Sequence, residues 1–138
     1  MFLNQLSEKE KEAFISLSVH VSNSNGIFAD EEKVMIQEYS KEMEIPEFDT
    51  NEAKSIDEII NVFKSSELHI KKVIMLEVLG LVYSDGFYDA EEENFIKKFS
   101  DDIGLADEIV ESLTVAIKKY SDALKEVCGA VEWELKYF

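Results

Sequence analysis

The feature that most restricts the fold of this chain is a thirty-residue segment that occurs twice. Leu76–Leu105, LEVLGLVYSDGFYDAEEENFIKKFSDDIGL, reads as an apolar helix, a Ser-Asp-Gly turn and an amphipathic helix with an acidic start. At a shift of 60 residues it falls on Ser16–Ile45, SLSVHVSNSNGIFADEEKVMIQEYSKEMEI. Ser24/Ser84, Gly26/Gly86, Glu31/Glu91, Glu32/Glu92, Ile36/Ile96 and Ser40/Ser100 are identical, and Tyr39/Phe99, Met43/Ile103 and Ile45/Leu105 are alike. The following segment repeats at a shift of 50, Ile56-Asp57-Glu58-Ile59-Ile60 on Ala106-Asp107-Glu108-Ile109-Val110. The shared punctuation, a Ser-Asx-Gly turn followed by Glu-Glu at a helix start, marks a duplicated helical unit. Two copies are too few for an open solenoid, which needs about three repeats to bury a core. They are expected to close on each other about a pseudo-twofold axis, as one domain over residues 1–138.

Helical spacing of apolar residues predicts about seven helices and no strands. Helix A, 7–23, opens on the capping box Ser7/Glu10 and carries Phe14, Ile15, Leu17, Val19 and Val21. Helix B, 30–44, starts at Asp30, presents Val34, Met35, Tyr39 and Met43, and stops before Pro46. Helix C, 55–65, has the capping box Ser55/Glu58 and buries Ile56, Ile59, Ile60 and Phe63. Helix D, 67–84, is apolar nearly all round from Val73 to Tyr83, and so is expected at the centre. Helix E, 90–102, turns Phe95, Ile96, Phe99 and Ile103 inward and stops at Gly104. Helix F, 106–120, carries Ile109, Val110, Leu113 and Ile117; helix G, 121–137, carries Leu124, Val127, Val131 and Leu135. Only Ser121-Asp122 separates F from G, and neither residue is a strong breaker, so one bent helix is the alternative. Repeat 1 thus spans 6–65, repeat 2 spans 67–120, and a closing helix covers 121–137.

The 138 residues include 30 acids against 14 lysines and arginines, a formal net charge of −16. Such a chain repels nucleic-acid phosphates and anionic headgroups, and favours cations or basic protein surfaces. Cys128 is the only cysteine, which excludes an intrachain disulfide and a cysteine zinc cage. MFLNQLSEKEKEAF lacks the charged and apolar regions of a signal peptide, and no apolar run approaches the length needed to span a bilayer. The expectation is a cytoplasmic protein without direct membrane insertion.

The acidic turn of the second copy, Asp85-Gly86-Phe87-Tyr88-Asp89-Ala90-Glu91-Glu92, has the spacing Asp-Gly-x-x-Asp-x-x-Glu. Gly86 permits a sharp turn. Asp85 at the negative end of helix D is electrostatically awkward, and a bound cation would relieve it. Asp85, Asp89 and Glu92, with Glu93 beside them, make a candidate metal site of oxygen donors, suited to Ca²⁺ first and to Mg²⁺ or Mn²⁺ next. Asp89 and Glu92 equally make an ordinary capping box, and Asp-Gly is a common turn pair. The pattern lacks the ligand spacing of an EF-hand. In the first copy Asn25 and Ala29 replace the two aspartates, so Asn25, Asp30 and Glu32 form the weaker counterpart.

An apolar helix, Asp-Gly-x-x-Asp-x-x-Glu, an amphipathic helix and a closing Gly104-Leu105 together resemble the TerB family of tellurite-resistance proteins, most closely over Tyr83–Leu105. The related N-terminal domain of the DnaJ-like membrane co-chaperone shares the pattern. The resemblance implies an all-helical, duplicated, acidic protein of a metal or chemical stress response that docks to a membrane-associated complex. It also implies metal ligation at Asp85, Asp89 and Glu92. The departures at Asn25 and Ala29 weaken a symmetric two-site scheme.

No phosphate loop, nucleophile elbow or His-x-x-x-His pair is present. His20 and His69 lie on predicted helices far from the acidic turn, and Cys128 reads as a small core residue, so no enzyme is expected. Two functions remain, a cation-binding stress module and a helical protein-interaction scaffold with a structural acidic turn. Trp133, Tyr137 and Phe138 are the aromatic docking anchors of the second reading.

Overall fold

A serine precedes each helix start that a Ser-x-x-Glu pattern marks, and the computed structural model shows the hydrogen bonds. It describes residues 2–22, 30–45, 53–83 and 90–132. A 3-10 turn, Leu3–Gln5, leads into α1 (Glu8–Ser22), α2 (Asp30–Glu42), α3 (Ile56–Lys64), α4 (Leu68–Val82), α5 (Ala90–Ile103) and α6 (Asp107–Ala130), and no strand occurs among the described residues. Before α1, the Glu10 N–H donates to Ser7 Oγ at 3.3 Å, and the Ser7 N–H donates to Glu10 Oε1 at 2.9 Å. At α3 the Glu58 N–H donates to Ser55 Oγ at 3.3 Å. Ser55 Oγ in turn donates to Glu58 Oε1 at 3.2 Å. Each pair satisfies donors that a helix start leaves without an intrahelical acceptor.

The helix boundaries keep the 60-residue interval of the sequence. Glu8–Ser22 and Leu68–Val82 have the same length at that shift, and α2 and α5 begin at Asp30 and Ala90. α2 and α5 also end alike. The Glu44 N–H donates to Lys41 O at 3.1 Å and the Ile45 N–H to Ser40 O at 3.1 Å; the Gly104 N–H donates to Asp101 O at 3.2 Å and the Leu105 N–H to Ser100 O at 2.9 Å. The pivotal residue is left-handed in both, Glu44 with φ 56° and Gly104 with φ 82°. α1 packs most extensively on α3 and α4 on α6, while α1 and α4 pack on each other. The packing of α3 on α5 has no comparable partner between α6 and α2.

α4 is buried over Val73–Met75 and Glu77–Val82, with Ile74 and Val78 fully inaccessible. α1 is its equal at the centre, because Ala13–Val19 are buried without a break. Aromatic rings tie the outer helices on. Phe14 meets Tyr39 edge-on at 5.1 Å, Phe63 meets Phe99 edge-on at 6.2 Å, and Phe95 stacks on Phe99 at 6.4 Å. The Lys118 ammonium sits 5.2 Å from the centre of the Tyr83 ring and links α6 to the end of α4.

Three expectations change. The break between helices F and G is absent, because α6 runs continuously through Ser121-Asp122, leaving six α-helices among the described residues rather than seven. Val34 is exposed; α2 buries Ile36 and Ser40 in its place, beside the expected Tyr39 and, just after the helix, Met43. Val127 and Val131 are exposed as well, because the inward face of α6 continues through Ser121, Leu124 and Cys128 and leaves them on another side. The stops at Gly26, Pro46 and Ser84, and Leu135 on helix G, lie outside the described residues.

Candidate functional site

The acidic patch is built on the first turn of α5. Glu91, Glu92 and Glu93 occupy that turn, where the positive end of the helix dipole favours them. Their environments differ. Glu91 and Glu93 are exposed, whereas Glu92 is buried at 6% exposure. The helical period explains the split, since Glu92 shares a face with Ile96 and Phe99, which enter the core, while its neighbours point away. α5 begins at Ala90, which makes Asp89 the preceding residue. Asp89 and Asp85 lie outside the described residues, so of the four expected ligands the structure places Glu92 and Glu93.

In the first copy, Asp30 is the first residue of α2 rather than the residue before it, and Glu32 stands in the same turn, both described by backbone alone. Asn25 lies outside the described residues, as do Trp133, Tyr137 and Phe138. Among the described residues no three His, Cys, Asp or Glu side chains converge in a way that could hold a metal ion.

Both histidines have structural partners. The His20 Nε2–H donates to the Lys54 carbonyl at 2.8 Å, and the Lys54 N–H donates to Ser16 Oγ at 2.9 Å. The segment entering α3 is thereby fastened to α1. His69 Nε2 lies 2.6 Å from Gln5 Oε1 and joins α4 to the 3-10 turn. Cys128 is half-buried on α6.

Two polar features depend on contacts between residues distant in sequence. Glu77 lies within the apolar run of α4 and accepts the Phe2 N–H at 2.9 Å, and its backbone carbonyl accepts the Tyr39 hydroxyl at 3.3 Å. Burial pushes the Tyr39 hydroxyl well above the usual tyrosine range, and the nearby charges of Glu77 and Glu42 act the same way. The second feature is an open cleft of about 370 Å³ between the start of α1 and the end of α3, lined by Ser7, Lys9, Glu10, Asn61, Val62, Ser65 and Ser66. Ser66 Oγ donates to Glu10 Oε2 at 2.6 Å across it. Partial burial acts to raise the Glu10 carboxyl, but the hydrogen bonds from Ser66 and Ser7 outweigh it and hold the carboxyl below its ordinary value. The Ser7/Glu10 half was legible as a capping box; the Ser66 half depends on a 56-residue separation in sequence.

No helix among the described residues is long and apolar enough to cross a membrane. Comparison with protein-family models, with curated proteins and with solved structures gave no match.

Proposed function

We propose that this chain is a non-enzymatic, TerB-like acidic module that takes a divalent cation at the turn Asp85-Gly86-Phe87-Tyr88-Asp89-Ala90-Glu91-Glu92. Its oxygen donors suit Ca²⁺, with Mg²⁺ and Mn²⁺ as the alternatives. Its setting in this reading is a cytoplasmic metal or chemical stress response, exercised through a protein partner in a membrane-associated complex. The observation that carries the proposal is the first turn of α5, where Glu91, Glu92 and Glu93 follow directly on the Asp-Gly-x-x-Asp spacing of the sequence. Oxygen donors gathered over so few residues suit a hard divalent cation.

The test is titration of Ca²⁺, Mg²⁺ and Mn²⁺ by calorimetry and NMR, with thermal melts in EDTA and in each ion. The wild type is expected to bind with a dissociation constant on the order of 10⁻⁴ M, as weak oxygen-ligand sites do. Asp85→Asn/Asp89→Asn should abolish binding, and Asp30→Asn should keep it. Equal loss in both variants would mean a diffuse acidic surface. Absence of saturable binding would leave the turn as a helix cap.

A specific observation also favours the scaffold reading. Val127 on α6 and Val131 just after it are 59% and 68% exposed, apolar side chains open to a partner at the end of the helix.

A further inference from the structure

The first half of α6 faces the core through Val110, Leu113 and Ile117, and it packs on α4 and α5. A second apolar stripe runs beside this one. Ala116, Tyr120, Ala123, Val127 and Ala130 recur at alternating steps of four and three residues, and all five are exposed. By helical geometry this stripe lies about 100° round α6 from the core-facing one. Its mean period is 3.5 residues, the spacing of a two-helix seam, and it extends for about 21 Å. Helix propensity explains alanines on a helix surface, but it does not explain Val127 in the same register.

We propose that the occupant of this seam is a second copy of the chain, and that two α6 helices pair antiparallel about a twofold axis beside Ser121-Asp122. Size selects the direction. The large residues Tyr120 and Val127 hold one seam position and alanines hold the other. A parallel pair would set Tyr120 on the partner's Tyr120 and Ala123 on the partner's Ala123, leaving gaps at each alanine layer. The antiparallel pair sets Tyr120 on the partner's Ala123 and Val127 on the partner's Ala116. Every layer then combines one large and one small side chain, which is how facing helices fill space. Close approach of the axes, to about 8 Å, follows from the alanines.

Charge selects the register. Lys119 and Glu126 flank the seam on the side away from the core, both exposed. In this alignment Lys119 faces the partner's Glu126, and the twofold makes the pair twice. A slip of one heptad would set Glu126 against the partner's Glu126. Lys118 and Lys125 lie on the opposite side of α6, so the exposed charges flanking the seam are Lys119 and Glu126, which cancel within a chain of −16. A locally neutral strip weakens the repulsion between two copies there.

The test is sedimentation equilibrium from about 10 μM to about 1 mM, in EDTA and a thiol reductant, at low salt. EDTA separates the outcome from the cation proposal, and the reductant prevents crosslinking through Cys128. The wild type should show a reversible monomer–dimer equilibrium. Val127→Glu should be monomeric with an unchanged thermal melt extrapolated to low concentration, because the residue is exposed in the monomer. Lys119→Glu should weaken association at least about tenfold, since two attractive pairs become repulsive. Lys119→Glu/Glu126→Lys should restore it to near the wild-type value. A wild type that stays monomeric up to about 1 mM overturns the proposal, as does a dimer indifferent to Val127→Glu. A double variant no tighter than Lys119→Glu overturns the antiparallel register.

Discussion

At the level of single residues, the two helix stops make a matched comparison. Glu44 and Gly104 occupy the same left-handed position at the ends of α2 and α5, with the same two hydrogen bonds around each. A side chain makes that conformation costlier by about 1–2 kcal/mol, while glycine gives back about 0.4–1 kcal/mol through the freer unfolded chain. Glu44→Gly is therefore expected to stabilise the domain by about 0.5–1 kcal/mol, and Gly104→Ala to destabilise it by a similar amount. Space does not oppose the second change, since the nearest atom to an added Cβ would be the flexible Lys71 Nζ at 3.8 Å. Chemical denaturation of the two variants checks both signs; a stabilising Gly104→Ala would show that the backbone term had been misjudged.

Among the helices, α6 is the longest and starts without a side-chain cap. Ala106 has the extended backbone of a capping residue, φ −67° and ψ 148°, but no oxygen to offer the free N–H groups of the first turn. α1 and α3 have serines in that role. Ala106→Ser is expected to add about 0.5–1 kcal/mol, read as a higher melting temperature. α4 tests the opposite extreme. Val78 is fully buried, and an unpaired charge there exceeds what an ordinary stability of about 5–15 kcal/mol tolerates. Val78→Asp should leave no cooperative melt by circular dichroism, whereas a folded, melting variant would show that the centre of the molecule lies elsewhere.

Over the whole molecule, pH reports how the buried polar groups are tied into the core. Tyr39 holds its proton in the folded protein well beyond the usual range. In the unfolded chain a tyrosine ionises near about pH 10. Above that pH the unfolded state has lost a proton that the native state retains, so stability falls as pH rises. Tyr39→Phe should remove most of this alkaline slope in urea-melt stabilities, while costing about 1 kcal/mol at neutral pH for the lost bond to the Glu77 carbonyl. Glu10 works at the other end. Its carboxyl is held low, so its contribution is complete above about pH 4.3 and fades as pH falls through the folded value. Glu10→Gln should flatten the acid limb, and an unchanged limb would mean that the Ser66 and Ser7 bonds do not survive in solution.

What the sequence determined by itself is what rests on local physics. Helix starts at Ser7 and Ser55, the stop at Gly104 and the inward faces of α1, α4 and α5 follow from capping, backbone and periodicity, each satisfied within a few residues. The all-helical class follows from the same terms. The tertiary structure decided what depends on which elements meet. Ser121-Asp122 looked like a joint, but neither residue breaks a helix, and Ser121 is buried against the neighbours of α6. Val34 fits an apolar stripe by spacing, yet the packed face of α2 is set by where α1 lies, and Ile36 takes the inward place. Glu77 reads as an interruption of an apolar run, and only the fold brings the Phe2 N–H, 75 residues away, to meet it. The acidic turn was visible as a pattern of charge. Glu92 shares the helical face of Ile96 and Phe99, so its side was legible from the period, whereas the depth of its burial was set by the helices that pack on α5.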